Sequence, residues 1–163
     1  AADTDVLTGL NNRRSFFKRG NEIISDSNQS HQPISVIMFD LDYFKQINDD
    51  FGHDAGDDVL IDVSHAALKS LRQDDIFARL GGEEFAVLLP NTNHQQAIEL
   101  AERMRKALDE NLTIYNDEKI SCTASFGVSS KSNSFDTSLK DLISEADKKL
   151  YRAKNSGRNT VIG

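Results

Sequence analysis

Apolar residues recur along this chain with two periods, and these periods separate the predicted helices from the predicted strands. Apolar positions three and four residues apart predict amphipathic helices over residues 11–28, 57–72, 94–110 and 139–150. Short apolar or alternating runs predict strands over residues 34–39, 76–80, 85–89, 120–128 and 161–162. Between them, residues 42–58 are aromatic and then rich in Asp and Gly, and they show no long period.

The order of these elements predicts a topology. Without the first and last helices it reads β-α-β-β-α-β, which is the split βαβ unit of ferredoxin-like α+β folds. A right-handed crossover makes the first two strands parallel and leaves a gap between them. The third strand fills that gap and runs antiparallel to both. We therefore expect an antiparallel central sheet surrounded by helices, in which the third strand begins beside the end of the first.

Four carboxylates fall at the ends that this topology brings together. Asp40 and Asp42 end the first strand, and Glu83 and Glu84 follow the Gly81-Gly82 turn that precedes the third. Two carboxylates about 4 Å apart repel by roughly 4 kcal/mol at an effective dielectric near 20, so such a group binds a cation or holds protons. Hard oxygen ligands favour Mg²⁺ or Mn²⁺. Any one of these acids alone is better explained by solvation at a strand end, whereas the acid pairs together, flanked by Gly81-Gly82, favour a metal site.

The bulk composition narrows the function classes. The chain has 163 residues, enough for one domain, and its net charge of −7 argues against non-specific binding to nucleic acid or anionic lipid. A single cysteine excludes an internal disulfide and favours a reducing compartment. We expect one domain over residues 1–163, excised from a longer sensory or regulatory protein. We expect it in the cytoplasm and without direct membrane contact, whether or not its parent is membrane-anchored.

Other nucleotide and metal motifs do not match. Neither a Gly-x-x-x-x-Gly-Lys-Ser/Thr loop nor a Gly-x-Gly-x-x-Gly turn occurs. The Asp-rich residues 48–58 lack the glycine at position six and the closing glutamate at position twelve of a calcium loop.

Four motifs, in order, give the chain a family resemblance. They lie at residues 5–14, 39–57, 79–85 and 146–159, so they extend over nearly the whole chain. The third contains Gly81-Gly82-Glu83-Glu84-Phe85. The chain resembles the GGDEF family, the catalytic domain of diguanylate cyclases, in the Glu-Glu form of its signature.

The resemblance implies an activity and its partners. Two GTP molecules, one on each domain of a homodimer, would be joined into cyclic di-GMP with release of two pyrophosphates. Each 3′-hydroxyl would attack the other nucleotide's α-phosphate on a palm-like cyclase/polymerase fold with two Mg²⁺ or Mn²⁺ ions per active site. Cyclic di-GMP would also be an inhibitor, and no nucleic acid would be bound.

The resemblance also assigns roles to residues. Asp40, the Leu41 carbonyl and Glu83 would hold the metal ions with help from Glu84, and Glu83 would also accept the hydroxyl proton. Around the base, Asn48 and Asp57 would bond the guanine edge, with His53 between them in the motif and Leu7 lining the pocket. Around the phosphates it places Gly82, the backbone at Tyr43 and Phe44, and the cations Lys45, Lys154 and Arg158.

Several of these residues have ordinary structural explanations. Asn48 could be a turn residue, Asp57 a helix N-cap and Phe44 a core residue. Lys154 and Arg158 could be cations favoured by the dipole at a helix C-terminus.

A second site is indicated upstream of the signature. Arg72 and Asp75 form the Arg-x-x-Asp pattern of the family's product-inhibition site, and Arg103 matches its further arginine. Arginine's planar fork suits guanine edges and phosphate. The alternative is a weak i, i+3 ion pair at a helix end.

Two other functions compete with an active cyclase. The domain could be a binding module that senses GTP or cyclic di-GMP, or it could only mediate dimerisation. The intact signature and Asp40 favour catalysis.

Overall fold

The computed structural model describes residues 2–131 and 136–163, which form twelve helices and strands. The helices are α1 (Arg13–Ser30), α2 (Phe44–Phe51), α3 (His53–Leu68), α4 (His94–Glu110) and α5 (Leu139–Asn155). The strands are β1 (Ile34–Leu41), β2 (Ile76–Gly81), β3 (Glu84–Pro90), β4 (Leu112–Tyr115), β5 (Glu118–Ser121), β6 (Ala124–Ser130) and β7 (Val161–Ile162).

Five strands form the main sheet, in the order β2-β3-β1-β6-β7. Strand β3 lies between β2 and β1 and runs antiparallel to both, and β6 pairs antiparallel with the other side of β1. The short β7 pairs in parallel along β6. The predicted ferredoxin-like α+β topology is therefore confirmed.

Helices cover both faces of this sheet because its strands carry apolar side chains on both. One face packs against α1 and α5 through Met38, Leu88 and their neighbours. The other face packs against α3 and α4, and its centre is a stack of phenylalanines on three adjacent strands. The Phe39 ring centroid lies 4.9 Å from that of Phe85 and 4.8 Å from that of Phe126. Since side chains alternate along a strand, Asp40 points toward the α1/α5 face.

Residues 42–58, which the sequence left without a period, contain α2 and the start of α3. Gly52 separates the two helices with φ 94°, a conformation that favours glycine. Helix α3 consequently begins at His53 rather than at Asp57, and it ends at Leu68 rather than at Arg72. Residues 48–58 are thus helical on both sides of Gly52.

The single strand predicted over residues 120–128 is wrong. Its first part belongs to β5, which pairs with β4 in a separate two-stranded sheet, and its second part is β6 of the main sheet. Apolar and small or polar residues alternate through both parts, from Ile120 to Val128, so the pattern did not reveal the break. The turn at Asn116 and Asp117, with φ 48° and 65°, is the local signal that would have predicted the β4-β5 hairpin.

Among the residues that the structure describes, no helix combines the length and the hydropathy that crossing a membrane requires.

Candidate active site

The predicted acids meet where β1 ends and β3 begins. Asp40 lies directly opposite Glu84 in the antiparallel register, so their side chains share one face of the sheet. One residue further, the Leu41 amide donates to the Glu83 carbonyl oxygen at 3.2 Å. Gly82 and Glu83 form the two-residue loop between β2 and β3, and Gly82 has φ 50°.

Asp40 is a buried carboxylate that the protein satisfies only in part. It is 9% exposed, and its Oδ2 forms an ion pair with Lys154 of α5. Its Oδ1 is buried and has no hydrogen-bond partner among the described residues. Burial raises the pKa of Asp40, and the charges of Glu83 and Asp147 add to this against the opposing effect of Lys154.

Two further carboxyls on the same face also have raised pKa values. Burial raises the pKa of Glu84, and the negative charges of Asp40 and Asp147 reinforce it. Burial likewise raises the pKa of Asp147 on α5, although the cations Lys154 and Arg13 oppose this shift. Neither Asp147 nor Arg13 is among the site residues predicted from the sequence. The signal for Asp147 was its place seven residues before Lys154, on the same side of a helix.

Asp42, which the sequence grouped with these acids, has a different environment. Its carboxylate accepts from the Thr123 hydroxyl at 2.7 Å, the Ser125 hydroxyl at 2.6 Å and the Asn159 amide at 3.0 Å. Three donors satisfy this buried group. Asp42 therefore ties the segment after α5 to the end of β1 and does not contribute a free ligand.

The start of α2 lies beside that segment. Tyr43 precedes the helix in a left-handed conformation, with φ 55°, and no side chain of the described residues caps the helix N-terminus. Arg158 stacks over the Tyr43 ring, with its guanidinium carbon 4.7 Å from the ring centroid. Lys45 is exposed on the first turn of α2, whereas Phe44 is buried in the core, as its structural explanation predicted. Free backbone amides and cations thus lie close together at this end of the sheet.

The predicted base-binding residues lie on α2 and α3. Asn48 packs so closely against Gly56 that a Cβ on that glycine would overlap the Asn48 Oδ1. This oxygen is buried and has no hydrogen-bond partner among the described residues. His53 and Asp57 are exposed on α3. Leu7 is partly buried and packs against the core between the sheet and α3/α4.

The positions of Asn48 and Asp57 inside helices exclude the turn and N-cap explanations for these two residues. Asn48 lies inside α2 and not in a turn. Asp57 lies inside α3, whose N-cap is Gly52.

Arg79, two residues before Gly81, links the β2-β3 hairpin loop to the N-terminal segment. Its Nε donates to the Gly82 carbonyl oxygen at 2.8 Å, and its Nη1 pairs with Asp5 at 3.2 Å. The first and third motifs are therefore in direct contact at the hairpin.

The donor set fits a divalent cation that shares its ligands with a substrate. Within residues 2–131 and 136–163, no three His, Cys, Asp or Glu side chains form a complete metal cage. The available donors are carboxylate and carbonyl oxygens, including the unpartnered Asp40 Oδ1. Magnesium is commonly held by one or two carboxylates and completed by phosphates and water, so the residues present fit it.

The three residues of the predicted second site surround one cleft of about 220 Å³. Arg72 pairs with Asp75 at 3.4 Å, and Arg103 reaches the cleft from α4. The ion pair of the alternative explanation is thus present, but it lies in a cleft with a second arginine. Thr92, Gln96 and Glu99 also line this cleft, and they are not among the site residues predicted from the sequence.

The fold and the site together define a class of protein: an α+β domain that gathers oxygen ligands and phosphate-binding groups at one edge of a ferredoxin-like sheet. Comparison with known proteins identifies the particular family. The model of the family described as "Diguanylate cyclase, GGDEF domain" matches residues 2–160, and the chain belongs to the GGDEF family.

Individual relatives agree with this assignment. Diguanylate cyclase A of Treponema denticola is 42% identical over 161 residues, which are 97% of this chain and 43% of that protein. The chain spans less than half the length of the curated relatives it matches. Among solved structures, the GGDEF domain of DgcB from Caulobacter crescentus, in complex with c-di-GMP, is 28% identical, with a TM-score of 0.94 over 99% of this chain and 93% of that one. The active GGEEF domain of a diguanylate cyclase from Vibrio cholerae is 34% identical, with a TM-score of 0.85 over 93% of this chain and 95% of that one.

Proposed function

We propose that this domain condenses two GTP molecules into cyclic di-GMP and two pyrophosphates, as a homodimer with one nucleotide on each copy. The observation that carries the proposal is the register that sets Asp40 opposite Glu84, with one Asp40 oxygen left unpartnered. The family and the relatives named as diguanylate cyclases support it. Because GTP is the substrate, we expect the domain to work in the cytoplasm, whatever segments its parent carries.

Asp40, the Leu41 carbonyl, Glu83 and Glu84 would hold two Mg²⁺ or Mn²⁺ ions. When bound, these ions supply charge neutralisation at the reacting phosphates. The ion pair between Asp40 and Lys154 holds an ammonium group beside the proposed metal site. When a nucleotide binds, this ammonium could exchange Asp40 for a phosphate oxygen as its partner.

The phosphates would lie over the N-terminus of α2. Its uncapped amides offer donors, and Lys45, Lys154 and Arg158 supply positive charge. Before the nucleotide binds, Arg158 is held by stacking on Tyr43, and Lys154 is held beside the site by its ion pair with Asp40. Fixed cations stabilise the charge that develops on the transferred group. The open space around Gly82 leaves room for a nucleotide to approach the backbone.

Glu83 would accept the proton of the attacking 3′-hydroxyl. It lies in the hairpin loop and is partly exposed, so a hydroxyl from the facing copy can reach it.

The guanine would bind between α2 and α3. The unpartnered Asn48 Oδ1 would accept from the base, and the Asp57 carboxylate would accept from the N1–H and the amino group. His53 lies nearby on α3, and Leu7 would give the pocket an apolar wall.

We further propose that cyclic di-GMP inhibits the enzyme by binding at Arg72, Asp75 and Arg103. These residues share one cleft, and a structural relative is named as a complex with c-di-GMP.

Glu83→Ala tests the catalytic proposal. With GTP and Mg²⁺, and products resolved by chromatography, we expect product formation to fall at least about a hundredfold, because a metal ligand and the proton acceptor are lost together. The thermal midpoint should change little, since Glu83 lies in a loop. Glu118→Ala, an exposed glutamate on β5, is the matched control and should keep full activity. Retained turnover in Glu83→Ala would reject the catalytic role, and GTP binding without turnover in the unsubstituted protein would identify a binding module.

A further inference from the structure

The guanidinium of Arg72 is anchored through a single nitrogen. Its Nη2 donates to the Pro90 carbonyl oxygen at 2.9 Å and to the Thr92 Oγ1 at 2.6 Å, and it also pairs with Asp75 at 3.4 Å. Within the described part of the chain, Nε and Nη1 make no hydrogen bond, and the side chain is 60% exposed. The group is therefore held in one orientation with two of its nitrogens available.

The direction of the hydrogen bond from Arg72 to Thr92 is fixed. A hydroxyl has one proton, and the Thr92 hydroxyl donates it to the Pro90 carbonyl oxygen at 2.9 Å. It can therefore only accept from Arg72, which has no acceptor of its own. Thr92 is 5% exposed, so little water competes for this position.

The backbone around Thr92 is fixed as well. The buried Ser35 hydroxyl of β1 donates to the Thr92 carbonyl oxygen at 2.8 Å. The next residue, Asn93, forms a capping box with Gln96 at the start of α4. The residue whose hydroxyl accepts from Arg72 is thus held between β1, through Ser35, and the start of α4.

We propose that Thr92 is a positioning residue for ligand recognition in the cleft: it orients Arg72 so that Nε and Nη1 meet the acceptors of a guanine-containing cyclic dinucleotide. This inference rests on the proposed function, which supplies the ligand. Thr92 acts through Arg72, and loss of its hydroxyl leaves the charge of the cleft unchanged. The effect should therefore appear in ligand affinity and not in catalysis.

The test is a binding titration of cyclic di-GMP with the intact domain and its variants. Thr92→Val keeps the shape and removes the acceptor, and we expect it to bind about three- to tenfold more weakly, because the lost bond is charge-assisted but Arg72 is largely exposed. Thr92→Ser keeps the acceptor and should restore the affinity. Thr113→Val, the same change at a buried position on β4, should bind like the unsubstituted protein. Turnover of GTP before product accumulates, and the thermal midpoint, should be the same in all four proteins.

The Arg72→Ala variant separates this inference from the proposed site. If Arg72→Ala loses binding but Thr92→Val keeps it, the positioning role is wrong and the site stands. If Thr92→Ser is as weak as Thr92→Val, the hydroxyl is not the cause and the inference is also wrong. If Arg72→Ala binds normally, the proposed product site fails and the role of Thr92 fails with it. Should Thr92→Val fold poorly, Thr92→Ala compared with Thr92→Ser gives the same comparison.

Discussion

At the scale of single residues, two aspartates that are two positions apart in the sequence have opposite chemistry. Asp42 accepts three hydrogen bonds and holds the chain that follows α5. Asp40 is similarly buried, but one of its oxygens has no partner among the described residues. Asp42 therefore stabilises the fold, whereas Asp40, although it pairs with Lys154, keeps one buried oxygen without a partner, as groups in functional sites often do.

Asp40→Asn should therefore stabilise the fold while removing activity. Burial makes the ionised Asp40 unfavourable, and a neutral amide avoids that cost. Without added metal at neutral pH, we expect the thermal midpoint to rise on the order of 2 °C, the scale of small changes in a domain of this size. Product formation should be lost in the same variant. Asp26→Asn, an exposed acid on α1, is the control and should change neither quantity.

The stability difference should also depend on pH. The pKa of Asp40 in the folded protein is raised above its ordinary 3.8, so the folded protein binds the proton more tightly than the unfolded chain does. The stability that this proton contributes is complete below pH 3.8 and is lost as the pH rises through the raised pKa. The advantage of Asp40→Asn should consequently grow from acid to neutral pH. A midpoint difference that is constant, or largest in acid, would contradict this account.

At the scale of elements, the site depends on how closely α5 approaches the sheet. A Cβ at Gly127 of β6 would overlap the Ala146 carbonyl oxygen and the Leu150 amide nitrogen of α5. Only glycine permits this contact, which sets α5 against β6 and so places Asp147 and Lys154 beside the acids of β1 and β3.

Gly127→Ala should destabilise the domain strongly. The overlap is with backbone atoms, so no rotamer change can relieve it, and we expect a loss of about 3 kcal/mol or more in the free energy of unfolding. Gly20→Ala on α1 is the matched control, because there the new Cβ would lie 2.7 Å from a methyl carbon of Leu139, a side chain that can turn away. Denaturant unfolding of both variants measures the contrast. Equal stability of the two would show that the approach of α5 is not set by Gly127.

At the scale of the whole molecule, the proposed function gives each domain one nucleotide site, whereas the proposed product contains two nucleotides. The loop that carries Glu83 lies at the rim of the sheet, where a second copy can face it. That the 163 residues are a single domain from a longer protein remains a prediction, as does the dimer.

We expect the rate of product formation to rise faster than linearly with protein concentration. At low concentration the active pair is rare, and its amount grows as the square of the monomer concentration. Initial rates over a hundredfold range of protein, at fixed GTP and Mg²⁺, measure this order. As a control, GTP binding per domain should stay constant over the same range. A strictly linear rate would mean that the domain is already fully paired or that it acts alone.

The topology and the shared edge of the acids could be predicted from the sequence. The β-α-β-β-α-β order, with a right-handed crossover, requires β3 to begin beside the end of β1, so the acids of the two strands fall at one edge of the sheet. The register that sets Asp40 opposite Glu84 came from the structure. The motifs were equally informative, because they predicted the GGDEF family and its model matches residues 2–160. This match includes all four motifs, at residues 5–14, 39–57, 79–85 and 146–159.

Only the tertiary structure separated Asp40 from Asp42, because their difference lies in donors from Thr123, Ser125 and Asn159, far away in the chain. The same holds for the break between β5 and β6, where apolar and small or polar residues alternate without interruption although the partner strand changes. Local periodicity reports which side of a strand is buried. It carries no information about which segment supplies the partner, and that partner decides whether a buried carboxylate is satisfied or left free for chemistry.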